Sequence, residues 1–131
     1  MKKIVLTLFA FASFLIADTN IIVIQNSMYK MEMGLNTIQK GYLYNNIDVV
    51  KSGIADVREA NKLFKSADMK SLLPDDKKHM VNIANNSADR IVESLASMEK
   101  YINKHEMINA HKAFGELINA CTTCHSLVRN W

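Results

Sequence analysis

Apolar residues recur at alternating three- and four-residue intervals along most of the chain, and this period predicts helices rather than strands. The first stretch, about 20–44, sets Ile21, Ile24, Met28, Met31, Leu35, Ile38 and Tyr42 on one stripe, and Asn45-Asn46 ends it. A second, about 47–67, aligns Ile47, Val50, Ile54, Val57, Asn61 and Phe64. The connector that follows ends in Leu72-Leu73-Pro74; Pro74 suits the first turn of a third helix, and Asp75 and Asp76 suit its positive end. That helix, about 74–103, aligns Met80, Ala84, Ser87, Ile91, Leu95, Met98 and Ile102. The last, about 105–130, aligns Met107, Ala110, Phe114, Leu117, Cys121, Cys124 and Val128. Each stripe is narrow and each opposite face polar, as mutually packed helices require. Short connections make neighbours antiparallel. The expected fold class is therefore all-α, an antiparallel up-down-up-down four-helix bundle.

The N-terminus departs from this pattern. Lys2 and Lys3 precede an apolar run from Ile4 to Ile16, and Ala17 stands where a signal peptide would be cut. Residues 1–17 are expected to be a signal peptide and residues 18–131 one helical domain. An uncleaved anchor is the alternative, but the run is short for a membrane span. Lys2 and Lys3 account for two units of the formal net charge of +3, so the pI of 8.9 gives no support for nucleic-acid binding. No membrane span is expected after cleavage.

The two cysteines lie in Cys121-Thr122-Thr123-Cys124-His125. C-x-x-C-H is the attachment sequence of a c-type haem: two thiols add to the vinyl groups of one porphyrin and an imidazole binds its iron. On a helix all three share a face. A zinc site normally wants four ligands, and no second C-x-x-C or H-x-x-x-H is present. A dithiol redox motif usually accompanies a βαβ pattern, absent here. A structural disulfide would leave His125 and its apolar face unexplained. Only six residues follow His125, so a sixth iron ligand must come from upstream.

The segment from Ala113-Phe114-Gly115-Glu116-Leu117 through the motif to Arg129 resembles the C-terminal helix of the cytochrome c-prime family, the class II c-type cytochromes. The shared elements are Ala-Phe-Gly-acidic-aliphatic before the motif, an Arg four residues after its His, and placement near the chain's end. The resemblance implies one covalent haem c, His125 as proximal ligand, and a distal residue near the beginning of the first helix. Met28 is the leading candidate for the sixth ligand, about two turns into its helix as His125 is from the end of the fourth. Met31 is the next. Matching Lys40-Gly41 to a Lys-Gly pair that often ends this helix in the family puts the distal position on Gln25 instead. An open, five-coordinate iron is the remaining alternative, and a methionine stripe also serves as core filler. Met69, His79 and Met80 could approach from the other helices.

Arg129 is expected to pair with a haem propionate or shield the imidazole, against the alternative of a solvated Arg. Trp131 could cover a haem edge. His79, His105 and His111 read as surface histidines, the last two on the fourth helix, and Tyr42 and Tyr44 as remote from the haem. The expected function is outer-sphere electron transfer in the periplasm, between redox partner proteins, with no enzymatic activity. Some family members pair, so a homodimer is an open expectation. The alternatives are a five-coordinate haem protein that binds nitric oxide or carbon monoxide, and a haem-free dithiol oxidoreductase.

Overall fold

A computed structural model describes the backbone of residues 2–129 and the side chains of residues 19–129. Trp131 and the side chains of the predicted signal segment lie outside the described residues. Four α-helices carry the fold: α1, Lys2–Leu43; α2, Ile47–Lys65; α3, Val81–Asn103; and α4, Met107–Arg129. Two short 3₁₀ helices, Met69–Leu72 and Asp75–Met80, join α2 to α3, and no strand occurs among the described residues. No helix among them is long and apolar enough to cross a membrane.

Three boundaries differ from expectation. Helix α1 is continuous from Lys2 through the predicted cleavage point instead of starting near Asn20. Pro74 does not open α3: it is extended (φ −52°, ψ 152°), and a 3₁₀ segment follows in which Lys78 pairs with Asp75 at 2.5 Å. Side chains three apart eclipse in a 3₁₀ helix, which favours that pair, and α3 begins only at Val81. His105 precedes α4 rather than belonging to it, in the left-handed region at φ 59°.

Both tight turns are built alike. Asn45 (φ 51°) and His105 occupy the left-handed position after their helices. Asn46 N–H donates to the Gly41 carbonyl at 2.8 Å and Asn45 N–H to Tyr42 at 3.2 Å. Sixty residues later, Glu106 N–H donates to Tyr101 at 2.9 Å and His105 N–H to Ile102 at 3.0 Å. This paired closure of helix-end carbonyls is the Schellman arrangement. Asn46 also caps α2, its side-chain oxygen accepting from Val49 N–H at 3.2 Å.

The line of deepest burial on α1 is Ile24, Ser27, Met31, Gly34, Ile38 and Gly41, rotated from the expected stripe. Ile21 is 50% exposed, while Met28, Leu35 and Tyr42 lie half-buried on the flank. Small residues cause the rotation. A methyl group built on Gly53 would fall 2.7 Å from the Gly34 carbonyl oxygen and the Ile38 amide nitrogen, and one on Gly41 2.6 Å from the Val50 nitrogen. The backbones of α1 and α2 thus touch where only glycine fits. Facing positions, Gly34 with Val57, Ile38 with Gly53 and Gly41 with Val50, run in opposite senses along the two helices.

Helix α4 repeats the pattern. Ala110, Ala113, Leu117, Ala120 and Cys124 are buried, whereas Phe114 and Cys121 sit half-buried on the flank. Helices α2 and α3 are joined by a buried hydrogen bond from Asn61 Nδ2 to the Ala88 carbonyl at 3.0 Å. Arg58 pairs with Glu99 at 2.6 Å nearby, and Arg90 with Glu116 at 3.5 Å between α3 and α4. These pairs are partly solvated and add no more than about 1 kcal/mol each. The fully buried aliphatics Ile38, Ile54, Leu95 and Leu117 contribute more, roughly 1.5–3 kcal/mol apiece.

Candidate functional site

The flank residues of α1 and α4 meet at the Tyr42 end, where Tyr42 contacts His111 and Phe114, and part along the rest of their length. Between them opens a cleft of about 780 Å³, lined along α1 by Met28, Met31, Leu35 and Tyr42 and along α4 by His111, Phe114, Cys121, Cys124, His125 and Arg129. Phe64 of α2 and Ala88 and Ile91 of α3 also line it. The volume lies within the ~300–1,000 Å³ of cofactor and small-molecule sites, and the apolar walls with few polar groups match their usual lining.

The motif is helical throughout, which brings Cys121, Cys124 and His125 to one side of α4. The intervening threonines turn back on the helix: Thr122 and Thr123 both donate to the Asn119 carbonyl, at 3.1 and 2.8 Å. Ser126 donates to the Thr123 carbonyl at 2.8 Å. The polar residues of the segment are thereby satisfied locally. At the end of the helix Lys77 reaches across from the 3₁₀ segment, and its Nζ donates to the Leu127 carbonyl at 3.1 Å, a cation at a helix C-terminus.

Both cysteines are thiols, Cys121 half-buried and Cys124 buried. Burial raises the pKa of each; at Cys121 the neighbouring Cys124 raises it further, against a smaller lowering by a backbone hydrogen bond. His125 is shifted the other way, its pKa lowered by burial and then by the charge of Arg129. The imidazole is thus biased toward the neutral form that binds a metal. A dithiol exchange centre needs a lowered thiol pKa, and these thiols have the reverse.

No group of three or more His, Cys, Asp and Glu side chains among the described residues can hold one metal ion. Cys121, Cys124 and His125 are therefore not a zinc-type cluster. A haem makes a different demand: its thioethers form at the porphyrin edge and only the imidazole meets iron. Two thiols, a neutral-biased imidazole and an apolar slot beside them fit that group.

The expected distal residues divide. Met28 and Met31 both line the cleft, Met28 half-buried and Met31 only 4% exposed. Gln25 and His79 are exposed and outside the lining, Met80 is half-buried and also outside it, and Met69 is spent in the core. Arg129 is exposed at the rim. Sequence reasoning missed the remote end of the cleft. His111 is exposed, as a surface histidine should be, and Tyr42 lies at the end of the cleft remote from the motif, but their edge-on contact at 5.3 Å and the approach of Phe114 to 5.9 Å from Tyr42 were not foreseen. Their spacing on flanks next to the buried lines was the available signal.

Neither a family model, nor a curated protein, nor a solved structure matches this chain.

Proposed function

We propose that this chain is an exported c-type cytochrome that carries single electrons through one covalent haem, in an up-down-up-down bundle of the cytochrome c-prime kind. One observation carries the reading: Cys121, Cys124 and His125 share a helix face that opens into an apolar cleft, with two methionines on the opposite wall. The bound group would supply a one-electron Fe(III)/Fe(II) couple. Cys121 and Cys124 would hold it, His125 would supply the proximal nitrogen, and Arg129 at the rim is placed to meet a carboxylate. The opposite senses of the α1–α2 facing positions and the short Schellman turns support the up-down topology.

Register supports Met28 and Met31 alike as distal candidates. Fourteen residues separate Tyr42 from Met28 and fourteen separate His111 from His125, about 21 Å along each helix. Counting from the Tyr42–His111 contact therefore puts Met28 level with His125. The Tyr42–Phe114 contact does the same for Met31, eleven residues away on both sides. The Lys2-Lys3 pair and the apolar run from Ile4 to Ile16 support export to a periplasmic site of action, with redox proteins as partners. The exposed Tyr29 and Met33 on α1 are compatible with a paired form.

Optical spectra of the purified protein, oxidised and reduced, test this. A Soret band that survives acidic acetone extraction, with a pyridine haemochrome typical of two thioethers, is the expected result. Loss of all haem into the acetone would refute covalent attachment. The width of the cleft supports one rival of the same fold, a five-coordinate iron that takes up carbon monoxide or nitric oxide; rapid carbon monoxide binding by the ferrous protein would favour it.

A further inference from the structure

The end of the cleft remote from the cysteine motif carries its own chemistry. Phe114 and His111 precede Cys121 by seven and ten residues, roughly 10 and 15 Å along α4. A cofactor held at Cys121, Cys124 and His125, as proposed above, would be anchored at the other end of the same cleft. Three rings wall the remote end: Tyr42 and His111 edge to face, and Phe114 tilted against both, 6.2 Å from His111. Such walls favour a flat aromatic guest, which meets them in stacked and edge contacts.

Tyr42 adds a polar demand. Its hydroxyl oxygen is buried and has no hydrogen-bond partner. Buried polar groups in native structures are almost always satisfied, so an orphan in a cavity wall marks a place for an acceptor. Burial also raises the phenol's pKa, so at neutral pH the group is a donor. The hydroxyl oxygen has almost no accessible surface, so an acceptor reaches it where the three rings part to admit a guest.

We propose that this end of the cleft binds a planar aromatic molecule bearing a carbonyl oxygen, which packs among Tyr42, His111 and Phe114 and accepts a hydrogen bond from the Tyr42 hydroxyl. Aromatic ketones and quinones share that chemistry. The site stands independently of what fills the cysteine end.

A matched pair of probes tests it: 2-acetylnaphthalene and 2-ethylnaphthalene, alike in shape and differing in the carbonyl. Each is titrated into the full chain as purified, and binding is followed by fluorescence and by shifts of the Tyr42 and Phe114 ring resonances. The wild-type protein should prefer the ketone by roughly 2- to 10-fold, the worth of one net hydrogen bond. Tyr42→Phe keeps the ring and should abolish the preference while still binding the hydrocarbon. His111→Ala should weaken both probes. Equal binding of the two by wild type, binding of neither, or a preference that survives Tyr42→Phe overturns the proposal. The Soret band recorded on the same samples reports the cofactor reading separately.

Discussion

At the residue scale the site is decided by protonation and by which methionine faces the imidazole. Folding holds the His125 pKa below the ~6.5 of a solvated histidine, through burial and then Arg129. The unfolded chain therefore binds a proton first on acidification, and stability falls as pH drops from about 6.5 through the folded pKa, then levels. In a haem-free chain carrying Cys121→Ser and Cys124→Ser, the melting temperature should decline over that window. Adding His125→Gln should remove part of the decline; an unaltered pH profile would show that the imidazole is not displaced from its ordinary titration. Met28→Ala in the haem-loaded protein should give a high-spin, carbon monoxide-accessible iron and a lower potential. Met33→Ala, at an exposed position, should leave the spectrum unchanged. If Met31→Ala produces the change and Met28→Ala does not, the distal assignment passes one turn along α1. That Cys121, Cys124 and His125 share a helix face was legible in the sequence, because it follows from local spacing. Which α1 methionines line the cleft was legible only to within one helical turn, since it depends on how α1 rotates about its axis.

Helices respond to their smallest residues. Expectation placed apolar side chains on the seam of α1, whereas Ser27, Gly34 and Gly41 occupy it and push Met28, Leu35 and Tyr42 to the flank. Hydrophobic periodicity reads side-chain volume as burial, so it overlooked residues buried because they are small. Two glycine substitutions separate the cases. Gly53→Ala forces a methyl group against the Gly34 carbonyl and Ile38 nitrogen, which cannot yield as a side-chain tip can, and should cost about 1–3 kcal/mol. Gly115→Ala, with nothing within 4 Å of the added carbon, should gain roughly 0.5–1 kcal/mol from helix propensity. Chemical denaturation of both variants checks the ordering, and a destabilised Gly115→Ala would mean that α4 packs against something at that face. The four helices were legible as elements, but the 3₁₀ segment after Pro74 was not, because its Asp75–Lys78 pairing competes with the α-helical start that proline and acidic residues usually announce.

For the molecule as a whole, one seam closes on glycine and another opens into the cleft. That asymmetry arises from the rotation of α1 and α4 about their own axes and has no counterpart in a hydrophobic pattern, so the bundle could be read and its cavity could not. Amide exchange should expose the difference. In the haem-free chain, amides of α4 beyond Ile118 should exchange faster than those of α2 between Val50 and Phe64, and haem attachment should slow the former selectively. Uniform protection of the two helices before attachment would mean that the cleft closes in the absence of its occupant.

The paired turns have a kinetic consequence. Asn45 and His105 each reverse the chain within three residues, so each hairpin forms with hardly any loop to close and with partners near in sequence. Mostly local pairing places a helical domain among chains that fold in microseconds to milliseconds. If the chain is exported and loaded with haem as proposed above, its bundle forms on that time scale around thiols that must still meet a porphyrin. Cys121 lies half-buried and Cys124 buried once that happens. Attachment is then a race between folding and modification, and slowing the second turn, for instance by His105→Pro, should raise the yield of tethered cofactor even as it lowers the stability of the product.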